Sequence, residues 1–334
     1  MRKILLALTS IFVLSTFAQA QKSWRLNNIP GLNADFSTLS DAVNSENVLP
    51  GDTIYIESSP NNYSGTIIKK RLIILGTGYF LSDVHNSKTQ WNKAEATISG
   101  NLTFDPGTMG SVLSGVVAST IFINDSAIVI ERSHISGLRL AYKANSFANN
   151  CVIRQNFFPY GGSITSQTAT GIAKDVLFHN NIIGTSVSFA GNLDNSSAYF
   201  INNNFTYHNS FAVANCIFQN NIFFSPSFST YLGSNAFHNN IANNTGIQSG
   251  NNNQLSVNLT NVYENFNNGS LSPTSGFSHD GRFVIKAGSP AIGAGQLNGT
   301  GIDCGAFGGP APYVLSGMPP IPSIYKLTVP TQVN

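Results

Sequence analysis

Five times between residues 153 and 241 the chain repeats one short phrase: an apolar residue, two intervening positions, an Asn, then Ile or Phe. The instances begin at Ile153, Phe178, Ile201, Phe218 and Phe237, with their Asn at Asn156, Asn181, Asn204, Asn221 and Asn240. They recur every 17 to 25 residues. That period suits one turn of a solenoid and not a helix pair or a propeller blade. A chain that turns so often must bend sharply, and Asn enters the left-handed backbone region more readily than any residue except Gly. Stacked amides also hydrogen-bond from one turn to the next, which satisfies polar groups in the interior. The five Asn are therefore expected to form a ladder, with Ile, Phe and Val stacked beside it.

Leucine-rich repeats need a Leu-x-x-Leu-x-Leu phrase and calcium-binding β-rolls a Gly-Gly-x-Gly-x-Asp phrase, and neither occurs. The fold class expected is all-β: a single-stranded right-handed parallel β-helix, a solenoid, with a short N-terminal capping helix. Phe36, Leu39, Ala42 and Val43 fall on one helical face, with Asp35 or Ser37 to cap the helix. Pro50-Gly51 then turns the chain into an alternating strand at Thr53, Ile54, Tyr55 and Ile56. Such a helix would cover the open edge of the first turn, which otherwise invites aggregation.

The first twenty residues read as an export signal. Arg2 and Lys3 precede an apolar run over 4–17, and Ala18-Gln19-Ala20 supplies a small-x-small cleavage site. The run is shorter than the ~20 residues that span a bilayer. The expected division is a signal peptide at 1–20, a cap at 21–51, the β-helix at 52–309 and a Pro-rich strap or linker at 310–334. The protein is then secreted, extracellular or at the cell surface, and a monomer. Without Arg2 and Lys3 the 17 basic residues fall to 15, matching the 15 acidic ones. Charged residues make up only 10% of the chain, against ~25% in an average domain. A surface this neutral has little pull on nucleic acid or anionic lipid. Cys151, Cys216 and Cys304 are too few and too scattered for a disulfide framework or a zinc motif, and Cys151 and Cys216, each between an Asn and an apolar residue of a repeat, read as small buried hydrophobes.

At the front, residues 36–43 followed by Pro50-Gly51-Asp52-Thr53-Ile54-Tyr55-Ile56 resemble the first helix and strand of the pectin-lyase-like family of right-handed parallel β-helix repeat proteins. At the back, residues 287–295 followed by Asp303-Cys304-Gly305-Ala306-Phe307 resemble the closing turn of its secreted bacterial members. Those usually read Asp-Ile-Gly-Ala, so Cys304 is a departure. The resemblance covers nearly all of the mature length and implies the fold. The family holds lyases, hydrolases and adhesins, so it does not select an activity.

With Ile130, Ile153, Phe178, Ile201, Phe218 and Phe237 pointing inward, strand alternation turns the next residue of each turn outward. That column reads Glu131, Arg154, His179, Asn202, Gln219 and His238. It is a polar face on which His179, Asn202, Gln219 and His238 are candidate ligand-binding residues for an extended polymer. Between 151 and 263 the only acidic residues are Asp175 and Asp194, a poor basis for the carboxyl pair of a glycosidase. From 176 to 281 there is no Lys or Arg. A lyase acting on uronates must neutralise a carboxylate and abstract a proton, so its candidate residues are Glu131, Arg139, Lys143 and Arg154. The six histidines, at 85, 134, 179, 208, 238 and 279, show no metal spacing, and neither a metal nor another cofactor is implied. Tyr160, Tyr199, Tyr207 and Tyr231 are candidates for stacking on sugar rings. The expected function is non-catalytic binding of a neutral glycan or cell-surface component. A polysaccharide lyase and a purely structural or adhesive rod are the alternatives.

Overall fold

The computed structural model describes residues 21–83, 91–166, 170–189, 193–207, 209–228, 232–266, 272–274 and 276–322. The expected export signal at 1–20, Tyr231 and the C-terminal segment beyond residue 322 lie outside them. The protein is built from long parallel sheets with little helix. Ten strands, from Ser23–Leu26 through Thr53–Ile56 to Ala236–His238, form one sheet in chain order, each parallel to the next. Between visits to that sheet the chain contributes strands to a second, thirteen-stranded sheet. No helix among the described residues is long and apolar enough to cross a membrane.

Register is set by what must be buried. Leu113, Ile130, Ile153, Phe178, Phe200, Phe218 and Phe237 are in register and wholly buried. The phenyl rings stack face to face: Phe178 on Phe200 at 4.8 Å, Phe200 on Phe218 at 4.7 Å, Phe218 on Phe237 at 5.0 Å. These separations match the strand spacing of a sheet, so the rings stack at the same step as the strands that carry them.

This stack corrects the sequence register at one repeat. Phe200, not Ile201, takes the inward position, so the ladder there passes through Asn203 and not Asn204. Side-chain amides link Asn156 to Asn181, Asn181 to Asn203, Asn203 to Asn221, Asn221 to Asn240 and Asn240 to Asn253, at 2.9–3.1 Å. Each also donates to a buried carbonyl, as Asn221 does to Phe200 at 2.7 Å. The left-handed residue is the one before the ladder Asn: Gln155, Asn180, Asn202, Asn220 and Asn239 have φ of 53–57°. Backbone tolerance and amide stacking are therefore duties of two adjacent positions.

At the N-terminus, Ser23–Leu26 is an edge strand paired with Thr53–Ile56, so this region supplies sheet as well as a helix. That helix, Leu39–Asn44, is capped by neither Asp35 nor Ser37. Thr38 Oγ1 accepts the Asp41 N–H at 3.0 Å, while Asp35 accepts the Arg25 N–H at 2.7 Å.

The last part of the chain packs outside the sheets. A second apolar cluster joins Ile182, Ile222 and Ile241, on the outer face of the second sheet, to Leu259, Tyr263, Phe283, Ala306 and Tyr313. Asn204 falls in the same outer row as Ile182 and Ile222. Its Oδ1 accepts the Ala306 N–H at 3.0 Å. The segment up to residue 322 runs back along the row of left-handed residues, which hold it by its carbonyls. Asn220 donates to Gln296, Asn202 to Asp303, Asn180 to Ala306 and Gly308, Gln155 to Pro312, and Arg132 to Met318.

Candidate functional site

The outward column on the ten-stranded sheet holds Glu131, Arg154, His179, Ile201, Gln219 and His238 in register. Ile201 stands where Asn202 was expected, because the stacked phenyl rings shift the repeat by one residue. Asn202 itself is buried under the returning segment. Gln219 donates to the Gln296 carbonyl at 3.1 Å, so two of the four expected ligand-binding amides and imidazoles are occupied by the protein's own chain. His179 is half-buried beside Arg154 and Glu131. Burial lowers its pKa most, and the Arg154 charge adds to that.

The four lyase candidates are not brought together. Arg154 Nε donates to Glu131 Oε2 at 2.7 Å on the first sheet. Arg139 lies on the second sheet, donating to Ser163 and Thr165 hydroxyls at 2.7 and 2.9 Å. Lys143 is tied to Asp105 at 2.5 Å. Each cation has a structural partner close at hand, and the Glu131–Arg154 pair lies on a different sheet from Arg139.

A cleft of about 340 Å³ opens elsewhere, between the second sheet and the layer laid over it. His134 and Phe157, neighbours in the outer row, form its floor with Phe158. Tyr160 and Tyr207 stand on one side, their ring centroids 4.1 Å apart. The opposite wall comes from the overlying layer, as His279, Arg282 and Phe283, and from Phe80. The outer row is apolar here for the same reason as at Ile182 and Ile222: another layer covers it. The cleft is where that cover stops.

The polar groups in this apolar setting are held in place. Asp83 Oδ2 accepts the His279 backbone N–H at 2.9 Å and faces His279 Nδ1 at 3.0 Å. A carboxylate there fixes the proton on Nδ1 and leaves Nε2 as the acceptor of the neutral ring. Phe80 stacks on His279 at 5.0 Å and 26°. The Arg282 guanidinium lies 4.9 Å from the Phe283 ring centroid, and burial lowers its pKa. His134 Nε2 is buried with no hydrogen-bond partner. Burial, and then the nearby His279, push the His134 pKa down to about 4. Glu95 braces the Phe80 loop through the backbone N–H groups of Phe80 and Leu81. Burial nonetheless leaves its pKa raised. Beneath, Tyr79 and Tyr313 share a buried hydroxyl contact, and Asp280 accepts the Ser316 N–H at 2.7 Å, locking the layer down.

Of the expected sugar-stacking tyrosines, Tyr160 and Tyr207 meet at this cleft, whereas Tyr199 is exposed on the first sheet. Phe80, Asp83, His279 and Arg282 were not singled out in the sequence. One signal existed: Arg282 is the first basic residue after the long stretch without Lys or Arg, and His279 and Asp280 stand beside it. Among the described residues no group of three or more His, Cys, Asp or Glu is placed to hold a metal ion. Compared with known families and curated proteins, the chain matches no family model and no curated sequence.

Proposed function

We propose that the two sheets are faces of one right-handed parallel β-helix, exported from the cell, and that its aromatic cleft binds a glycan. The observation that carries this is the Tyr160–Tyr207 pair at the mouth of an aromatic pocket that also holds an imidazole and a guanidinium. Sugar rings present C–H faces that stack on such rings, while their hydroxyls hydrogen-bond to the polar groups between them. Tyr160 is 54% exposed, so its ring is open to a ligand. The cleft fits this role better than the column on the first sheet, which Ile201 interrupts and the returning segment overlies.

The test is a glycan array followed by calorimetry on the best ligand, with Tyr160→Ala and Tyr207→Ala. Each substitution weakens binding tenfold or more, and the affinity of a neutral glycan changes little with salt. Full affinity in both variants rejects the cleft as the binding site. The lyase reading has less support, since its four candidate residues lie in three places. A purely structural rod predicts no binding at all.

A further inference from the structure

We infer that the cleft is an esterase site, in which His279, positioned by Asp83, directs a water molecule at an acyl ester carried by the bound sugar. This rests on the glycan-binding reading of the cleft and adds chemistry to it. One carboxylate oxygen, Asp83 Oδ2, holds His279 twice, through the backbone N–H at 2.9 Å and through Nδ1 at 3.0 Å. The stacked Phe80 ring removes the remaining freedom of the imidazole. The His279 side chain is 45% exposed and lines the cleft, and with Nδ1 held by Asp83, Nε2 is the nitrogen left for a water molecule. This is the arrangement of a general base: a ring whose tautomer and orientation are set from behind and whose free nitrogen faces the ligand.

The surroundings narrow the reaction. Glycosidic cleavage by two carboxyl groups needs them ~5–10 Å apart across the bond, and no described residue lining the cleft is Asp or Glu. Elimination from a uronate polymer would press a carboxylate on every sugar against phenyl rings, at a steep desolvation cost. An acylated neutral sugar suits the lining: Phe80 and Phe157 take the acyl chain, and Arg282, which lines the same cleft three residues from the base, serves the carbonyl oxygen.

The step balances with water alone. The water oxygen bonds to the acyl carbon as its proton passes to His279 Nε2, and the carbonyl electron pair moves to oxygen, where Arg282 stabilises the oxyanion. Collapse breaks the bond to the sugar oxygen, which takes the proton back from Nε2. A carboxylic acid and a free sugar hydroxyl leave, and the imidazole is restored.

The experiment incubates the full chain with acetylated xylan and with methylumbelliferyl acetate, measuring free acetate and fluorescence. Both rise, and His279→Gln, a change at a half-exposed position, lowers the rate by about 100-fold or more. Asp83→Asn lowers kcat with little change in KM, and Asp83→Glu restores part of it. No acetate release, with Tyr160-dependent glycan binding intact, overturns this inference alone; loss of glycan binding overturns it together with the reading beneath it. Acetate release unchanged by His279→Gln places the chemistry elsewhere. An ultraviolet-absorbing unsaturated product, with no acid released, means elimination and also overturns it.

Discussion

Asn203 Nδ2 stands 3.0 Å from Asn221 Oδ1, and the same oxygen accepts the Asn203 backbone N–H at 2.8 Å. One side chain thus satisfies two buried donors on its neighbour, and the pattern repeats from Asn156 to Asn253. Asn204, next in sequence, faces outward and bonds to Ala306. Substituting the two separates these duties. Asn203→Leu strands the Asn181 N–H and the Phe178 carbonyl. With each buried orphan costing ~1–3 kcal/mol, the expected loss is about 3 kcal/mol. Asn204→Leu places an apolar residue beside Ile182 and Ile222 but strands the buried Ala306 N–H and drops the long bond to the Phe283 carbonyl, costing about 2 kcal/mol. Urea midpoints of the two variants check the order.

The row of left-handed residues gives a second expectation. Asn180, at φ 54°, donates to the carbonyls of Ala306 and Gly308 at 2.9 and 2.7 Å. Asn180→Gly keeps the bend and loses both bonds, about 2 kcal/mol. Asn180→Val adds a further ~1–2 kcal/mol of left-handed strain. Limited proteolysis should cut the segment near residue 308 faster in both variants, and fastest in the Val variant.

His134 makes stability depend on pH. Its pKa is lowered from 6.5 to about 4 in the folded protein, so between those values the unfolded chain binds the extra proton. The contribution is complete above pH 6.5, is lost progressively as pH falls, and is gone below about pH 4. Its size is about 3 kcal/mol. His134→Phe, set between the Phe80 and Phe157 rings, removes this part of the slope. Stability curves of both proteins from pH 7 to pH 4 make the comparison.

The three thiols should be inert. Cys151, Cys216 and Cys304 are buried, and burial pushes each pKa up to about 12. A thiol reagent at pH 8 labels none of them in the native protein and all three in denaturant. Rapid native labelling of any one would mean that the interior opens at that repeat.

The repeat period made parallel strands and stacked amides readable, because burial and backbone pairing recur wherever the phrase recurs. The slip at 202–204 was not readable: of three consecutive Asn only Asn204 is followed by the Phe the phrase asks for, yet the stacking of Phe200 between Phe178 and Phe218 puts Asn203 in the ladder. The displacement of Asn202 from the outward column follows from that single choice. The cleft was still less accessible to sequence reasoning. Asp83 and His279 are 196 residues apart, and nothing local to either shows that the end of the chain folds back over the second sheet. His134 and Phe157, by contrast, lie in the repeat itself. Their outward position could have been inferred once the neighbouring row was seen to be Ile182, Ile222 and Ile241.

The most direct test of the account is a calorimetric titration of one glycan ligand into three proteins: wild type, Tyr160→Ala, and an Arg154→Ala/His238→Ala double variant of the first sheet. Binding that weakens at least tenfold in Tyr160→Ala and is unchanged in the double variant is the result expected. Binding lost in the double variant and intact in Tyr160→Ala would contradict the account, moving the glycan from the cleft to the column on the ten-stranded sheet.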